Sequence, residues 1–215
     1  MLVAPVVGQL HAQHPGLSMR VVVAPWRELP PRLRARDVDI AVGSLAEIEE
    51  LDDFEVLGLT EHDVVVVCRA GHPLSVHGGV TLNDVFDYPL VGPGLGADAA
   101  EQLVGLAGAR SGSPAATGPE LLTIECDSSD VLKRVLLTSD AVTFLPRFVV
   151  DTDVRDGRLV ILTDVDVGLR VRFGAAWLPG RTLGGAGTRF LDLLQAHDAA
   201  CSETEGSEAL ARFGA

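Results

Sequence analysis

Apolar and polar positions along this chain switch between a helical and an extended period, and the switches mark its elements. Val3, Val6, Val7 and Leu10 recur at the three- and four-residue spacing of one helix face, and the pattern stops at His14-Pro15-Gly16, where proline and glycine end helical geometry. Met19–Ala24 (MRVVVA) is a continuous β-branched run, as expected of a strand buried on both faces, with Trp26 just past its carboxyl end. Leu29 and Leu33, with arginine-rich positions between, predict a helix that tolerates Pro30 and Pro31 only in its first turn. Asp39–Gly43 (DIAVG) predicts the next strand, and Gly43-Ser44 opens a loop at its carboxyl end. Phe54–Leu59 and His62–Arg69 predict two further strands, followed by a turn at Gly71-His72-Pro73-Leu74. Pro89–Gly96 (PLVGPGLG) has the glycine and proline density of a hinge or crossing; a helix over about Ala97–Ala109 and a small polar loop, Arg110–Pro119, follow it.

The stretch Leu121–Pro146 carries the clearest supersecondary signal: a strand to Cys126, a polar corner (Asp127, Ser128, Ser129, Asp130), a helix, and a strand over Ala141–Leu145. Val131, Leu132, Val135 and Leu136 give that helix one apolar side to lie on a sheet, leaving Lys133 and Arg134 to point to water. A βαβ unit follows, and in such a unit the helix start sits at the carboxyl edge of the first strand, where open α/β sheets bind ligands. Ser128 and Ser129 are thus candidate ligand contacts. Asp127 or Ser128 is equally the ordinary N-cap of any helix, and a capping serine at a sheet edge can serve both roles. Beyond it, Pro146–Thr152 predicts a short helix, Arg158–Leu162 and Arg170–Trp177 predict strands, and Phe190, Leu193 and Leu194 mark a closing helix before a polar tail from Cys201. Strands and helices alternate on both sides of Pro89–Gly96, which predicts two α/β lobes with a ligand between them.

Composition narrows the function. The chain has 215 residues, 47% of them hydrophobic, enough for one large domain or two lobes with their own cores. A formal net charge of -13 spread along the length argues against direct contact with nucleic acid. Cys68, Cys126 and Cys201 are odd in number and form no metal or redox spacing, which fits a reducing, cytoplasmic setting. The first residues lack the charge and apolar core of an export signal, and no window approaches a membrane span.

Catalytic patterns are absent. There is no nucleophile elbow and no phosphate-binding loop, and the sole lysine, Lys133, lies in mid-helix. Gly92-Pro93-Gly94-Leu95-Gly96 lacks the third glycine and the acidic partner of a dinucleotide site. His11 and His14 read as surface residues, and His72 and His77 as flanks of a turn. The residues therefore predict no enzyme, no metal site and no cofactor.

HPGLSMRVVV, LRARDVDIAVGSL, VVVVCRAGHPL, LNDVFDYPLVGPG, the strand-helix-strand ending DAVTFLP, and GRLVIL occur in this order, and the ordered set over roughly Leu2–Gln195 resembles the effector-binding domain of LysR-type transcriptional regulators. The resemblance implies an α/β fold like the type II periplasmic binding proteins, two α/β lobes with a double crossover near Pro93 and Asp164: lobe I from residues 1–91 and 165–200, lobe II from 92–164, and a polar tail over 201–215. It implies a small-molecule effector in the interlobe cleft, with Trp26, Ser44, Pro93, Ser128 and Ser129 as ligand contacts, and a homodimer in which the first helix packs on the partner's second lobe.

Ser139, Asp140, Ala141 and Val142 stand where the family usually has G-x-G-[IV]. The winged helix-turn-helix of full-length regulators, and the strand that opens the first lobe between those matched by Met19–Ala24 and Asp39–Gly43, have no counterpart here. The reading is an effector-sensing domain of such a regulator. The alternatives are a solute-binding protein of a transport system, a non-functional fragment, or an enzyme on the same architecture, against which the missing export signal and the missing acid, base and nucleophile set count.

Overall fold

The computed structural model describes residues 2–45, 53–76, 78–94, 97–108, 121–180 and 183–213. His77, Leu95, Gly96 and the Arg110–Pro119 loop lie outside them. Two compact units emerge, Met1–His62 with Arg170–Ala215 and Asp63–Leu169. Their boundaries fall at residues 62/63 and 169/170, compared with the expected crossings near Pro93 and Asp164.

The first unit opens with helix α1 (Val3–Gln13), whose Val6 and Leu10 are buried. Helix α2 (Leu29–Arg34) carries its prolines in the first turn, where a missing N–H costs nothing. Strand β1 (Ala41–Ser44) pairs antiparallel with β7 (Arg170–Trp177), from Ala41 opposite Ala176 to Ser44 opposite Phe173. The next neighbour of β7 is β2 (Glu55–Arg69). Leu33, Ala41, Phe54 and Ala176 form the core around this sheet. Helix α8 (Gly185–Phe213) packs on α1, with Arg189 donating to Gln13 Oε1 at 3.2 Å.

Close approach fixes one residue of β7. A Cβ added at Gly174 would meet Leu45 Cδ1 at 2.6 Å and the Leu57 carbonyl oxygen at 3.1 Å. Gly174→Ala is therefore expected to lower stability by about 1–3 kcal/mol through overpacking. Urea denaturation checks this, and a change under about 0.5 kcal/mol would show that Leu45 yields freely.

Three expectations are corrected in this unit. Met19–Ala24 is not a strand: it has no ladder partner among the described residues, and Val21 and Val23 are 57% and 73% exposed. A β-branched run becomes a strand only where a neighbour completes its hydrogen bonds. Phe54–Leu59 and His62–Arg69 are one strand, because Thr60-Glu61 brings no turn chemistry to part them. The polar segment from Cys201 continues α8 to Phe213, since Glu, Ala, Leu and Arg in ETEGSEALARF are good helix formers.

In the second unit the later half of β2 is central. It pairs antiparallel with β5 (Thr143–Pro146) from Val64 opposite Pro146 to Val67 opposite Thr143, and with β6 (Leu159–Ile161) from Val67 to Arg69. These ladders place its residues from Asp63 onward with this unit. Strand β3 (Val91–Gly92) joins β5 through a parallel bridge of Leu90 with Val142, and pairs in parallel with β4 (Ile124–Glu125). The strand order is thus β4, β3, β5, β2, β6. Of the Pro89–Gly96 stretch expected as a hinge or crossing, Pro89–Gly92 is interior to this sheet, and Leu90 and Val91 are buried. The strand expected over Leu121–Cys126 shrinks to the two residues of β4.

The two faces of β2 feed two cores. Val66 and Cys68 join Leu74, Val85, Leu90, Val142 and Leu162, whereas Val67 joins Val91, Leu132, Leu136, Leu145 and Leu159. The helices on these faces include α3 (Pro73–Val76), α4 (Leu82–Val85), α5 (Ala97–Gly108), α6 (Ser129–Thr138) and α7 (Arg147–Arg155). Burial pushes the Cys68 thiol up to about 11, as befits an inert packing residue.

His72 completes the turn after β2 as a scaffold. Its Nδ1 accepts from the Leu74 N–H at 3.0 Å, and its Nε2 reaches the Asp140 carbonyl oxygen at 3.1 Å, so Nε2 carries the proton. Asp140 in turn receives Arg69 at 2.7 Å.

Candidate functional site

Parallel strands deliver their carboxyl ends to one edge of a sheet, and in the second unit that edge gathers most of the expected site. Strand β3 runs into Pro93-Gly94, β4 into Cys126-Asp127-Ser128, and β5 through Pro146 into Arg147. The first two loops are tied together. Cys126 N–H donates to the Gly92 carbonyl at 2.9 Å, and Gly94 N–H donates to Asp127 Oδ1 at 3.2 Å. A Cβ on Gly94 would lie 3.1 Å from Glu125 Oε1 and 3.5 Å from Asp127 Oδ1, so glycine lets the loops close on each other.

Ser128 is the N-cap of α6. Its backbone is extended, its Oγ accepts from Val131 N–H at 3.5 Å, and its carbonyl receives Leu132 N–H at 3.0 Å. The cap reading therefore holds, and Ser128 and Ser129 stand half-buried at the sheet edge beside Pro93. Helix α6 is seated by Leu132 and Leu136, both buried. Val131, expected on the apolar face, is 48% exposed. Lys133, expected in water, is mostly covered and pairs with Asp153 at 3.1 Å and Asp130 at 3.6 Å. Asp153 is buried and also receives Arg158 at 2.8 Å, so it draws Lys133 along the helix surface.

Arg147 is the residue at this edge that pattern reading passed over. It opens α7 directly after β5, is buried, and has Asp151 Oδ1 at 3.5 Å from its Nε one turn on. A cation at a helix start opposes the helix dipole. An arginine straight after FLP at a helix start, with a carboxylate four residues on, is the signal that could have drawn attention to it.

Trp26 and Ser44 lie in the first unit on separate elements. Trp26 opens a single 3-10 turn (Trp26–Glu28), with the Arg27 guanidinium 4.8 Å from its ring centroid. Its Nε1 is buried and has no hydrogen-bond partner among the described residues. Because Met19–Ala24 is not in a ladder, Trp26 does not mark a strand end. Ser44 is the last residue of β1, opposite Phe173.

No group of three or more metal-ligating side chains occurs among the described residues. No helix among them is long and apolar enough to cross a membrane. What the second-unit edge offers is two helix starts, two half-buried hydroxyls and a backbone loop, with Arg147 as the first residue of α7.

Comparison with known proteins agrees with this architecture. The LysR substrate binding domain family matches residues 1–199. The SDS degradation transcriptional activation protein of Pseudomonas sp. (strain ATCC 19151) is 32% identical over 203 residues, covering 92% of this chain and 63% of that protein. The HTH-type transcriptional regulator PcaQ of Agrobacterium fabrum is 32% identical over 173 residues, 75% of this chain and 52% of that protein. The chain thus spans between half and two thirds of the length of these relatives. Among solved structures, the regulatory domain of Synechocystis PCC6803 CcmR in complex with 2-PG has a TM-score of 0.64 at 18% identity, covering 90% of this chain and 89% of that one. The effector binding domain of QuiR in complex with shikimate has a TM-score of 0.65 at 16% identity, covering 92% of this chain and 90% of that one.

Proposed function

We propose, from the premise that this chain belongs to the LysR substrate binding domain family, that it is the effector-sensing part of a LysR-type transcriptional regulator. The effector is a small carboxylate, held in the second unit by the starts of α6 and α7, by Pro93, Ser128 and Ser129, and by Arg147. Trp26 and Ser44 are the candidate contacts on the first unit. The chain's own role is recognition without chemistry, it works in the cytoplasm as a homodimer, and contact with DNA belongs to other parts of the longer regulator.

The observation that supports this best is the shared carboxyl edge of β3, β4 and β5, from which α6 and α7 both start. A second reading, a neutral hydroxylated ring, is favoured by Glu125, Asp127 and Asp130 around the same corner, which offset the positive helix end.

A thermal-shift panel of small carboxylates and polyols, followed by calorimetry, separates the two, because a ligand that binds the native state alone raises the melting temperature. Ser128→Ala with Ser129→Ala is expected to weaken the best binder by about 1–3 kcal/mol. Undiminished affinity in the double variant would place the effector elsewhere, and polyols outranking carboxylates would favour the second reading.

A further inference from the structure

We propose that Asp127 determines which effectors the second-unit edge accepts: its carboxylate takes a hydrogen bond from a hydroxyl or ammonium of the bound molecule and turns away a second carboxylate. The proposal rests on the reading of that edge as the effector site and deepens it, narrowing the effector from a small carboxylate to a hydroxy- or amino-carboxylic acid.

Charge is distributed unevenly along the edge. In the strand order β4, β3, β5 the segments leaving it are Cys126-Asp127-Ser128, Pro93-Gly94 and the start of α7. At the β4 end Asp127 is half-buried and Glu125 exposed. Asp127 Oδ1 accepts from Gly94 N–H at 3.2 Å, and a Cβ on Gly94 would lie 3.1 Å from Glu125 Oε1, so both carboxylates stand against the Pro93-Gly94 loop. Neither has an ion-pair partner among the described residues, and the chain's sole lysine, Lys133, is committed to Asp153 and Asp130. Gly94 N–H is the one donor Asp127 has among them, which leaves its second oxygen to a donor from outside.

The β5 end differs. Helix α7 starts there, with its free N–H groups and Arg147 as its first residue. Strands two places apart in a sheet stand about 10 Å from each other. That separation leaves room for a small molecule with its carboxylate at α7 and a hydrogen-bond donor at Asp127. A carboxylate at Asp127 meets a like charge, whereas a hydroxyl or ammonium there gains a charge-assisted hydrogen bond. Asp127 is also held in place, since turning away costs it the Gly94 N–H.

The test uses the full chain and four small carboxylates that differ in the group at the far end: butyrate, γ-hydroxybutyrate, γ-aminobutyrate and succinate. Calorimetry on the wild type is expected to rank γ-hydroxybutyrate and γ-aminobutyrate above succinate. Asp127→Asn keeps an oxygen for Gly94 N–H and removes the charge. It is expected to raise succinate affinity and to lower γ-aminobutyrate affinity, each by about fivefold or more, the weight of one charge pair about 4 Å apart even in water. Butyrate affinity and the ligand-free thermal melt should match the wild type. Shifts of opposite sign separate a charge effect from a loosened loop, which would weaken every member alike.

An Asp127→Asn variant with the wild-type ranking would overturn the role of Asp127, as would succinate binding the wild type as tightly as γ-hydroxybutyrate. In either case the effector-site reading stands if Ser128→Ala with Ser129→Ala weakens the whole series. Binding of no member to either protein would overturn that reading and this proposal together.

Discussion

Asp198→Ala is expected to lower the stability of the first unit by about 3–5 kcal/mol, because it breaks a buried polar pair and leaves His62 buried without that carboxylate. Asp198 projects from α8 and is almost fully enclosed. Its carboxylate accepts from His62 Nε2 at 2.8 Å, from Thr60 N–H at 2.7 Å and from Thr60 Oγ1 at 2.8 Å. His62 is itself wholly buried in β2, so the cluster pins the C-terminal helix to the strand. Losing the carboxylate removes the shared acceptor from two N–H groups and a hydroxyl; Thr60 is exposed and can turn to water, but at the buried His62 water cannot replace it without opening the unit. Asp198→Asn keeps one acceptor oxygen and is expected to cost less. His62→Ala with Asp198→Ala is expected to cost less than the sum of the single changes, since each already disrupts the other's environment. Urea denaturation of the four proteins provides the measurement. A single-variant cost below about 1 kcal/mol would mean that the helix is held by its apolar contacts alone.

That cluster also shows where pattern reading stops. The helices and most strands were legible because their signals are local: Val6 and Leu10 in α1, the alternation of Val171 and Phe173 with arginines in β7, the serine cap of α6. His62 and Asp198 are brought together by the tertiary fold, and nothing around either residue announces the other. Arg147 carries a local signal in its position after FLP, but that β5 ends at the same sheet edge as β3 and β4 depends on the strand order. Met19–Ala24 failed in the opposite way: its composition suits a strand, but composition cannot supply the neighbouring chain that makes one. On α6, Val131, Leu132, Val135 and Leu136 fit one side of a helical wheel, yet the buried Asp153 holds Lys133 and leaves Val131 facing water. A buried charge outside the helix rotated the side that periodicity had assigned.

That distinction carries the second large expected effect. Leu136→Ala is expected to lower the stability of the second unit by about 2–5 kcal/mol, whereas Val131→Ala should stay within about 0.5 kcal/mol of the wild type. Leu136 is fully buried in a core with Val67, Leu132, Ala141, Leu145 and Val150. Truncating it opens a cavity under the helix that positions Ser128 and Ser129, and neighbours on β2 and β5 are held by ladders that restrict their collapse into it. The same change should loosen the cap, so amide exchange at Val131 and Leu132 is expected to accelerate along with the loss in urea stability. Affinity for the best carboxylate from the thermal-shift panel should fall as well, because a less firmly seated helix presents its N–H groups and hydroxyls less often in the binding geometry. Val131→Ala separates packing from sequence pattern, since both residues belong to the same apolar stripe on paper. Comparable costs at the two positions would show that Val131 is covered in solution and that α6 sits rotated from the arrangement described.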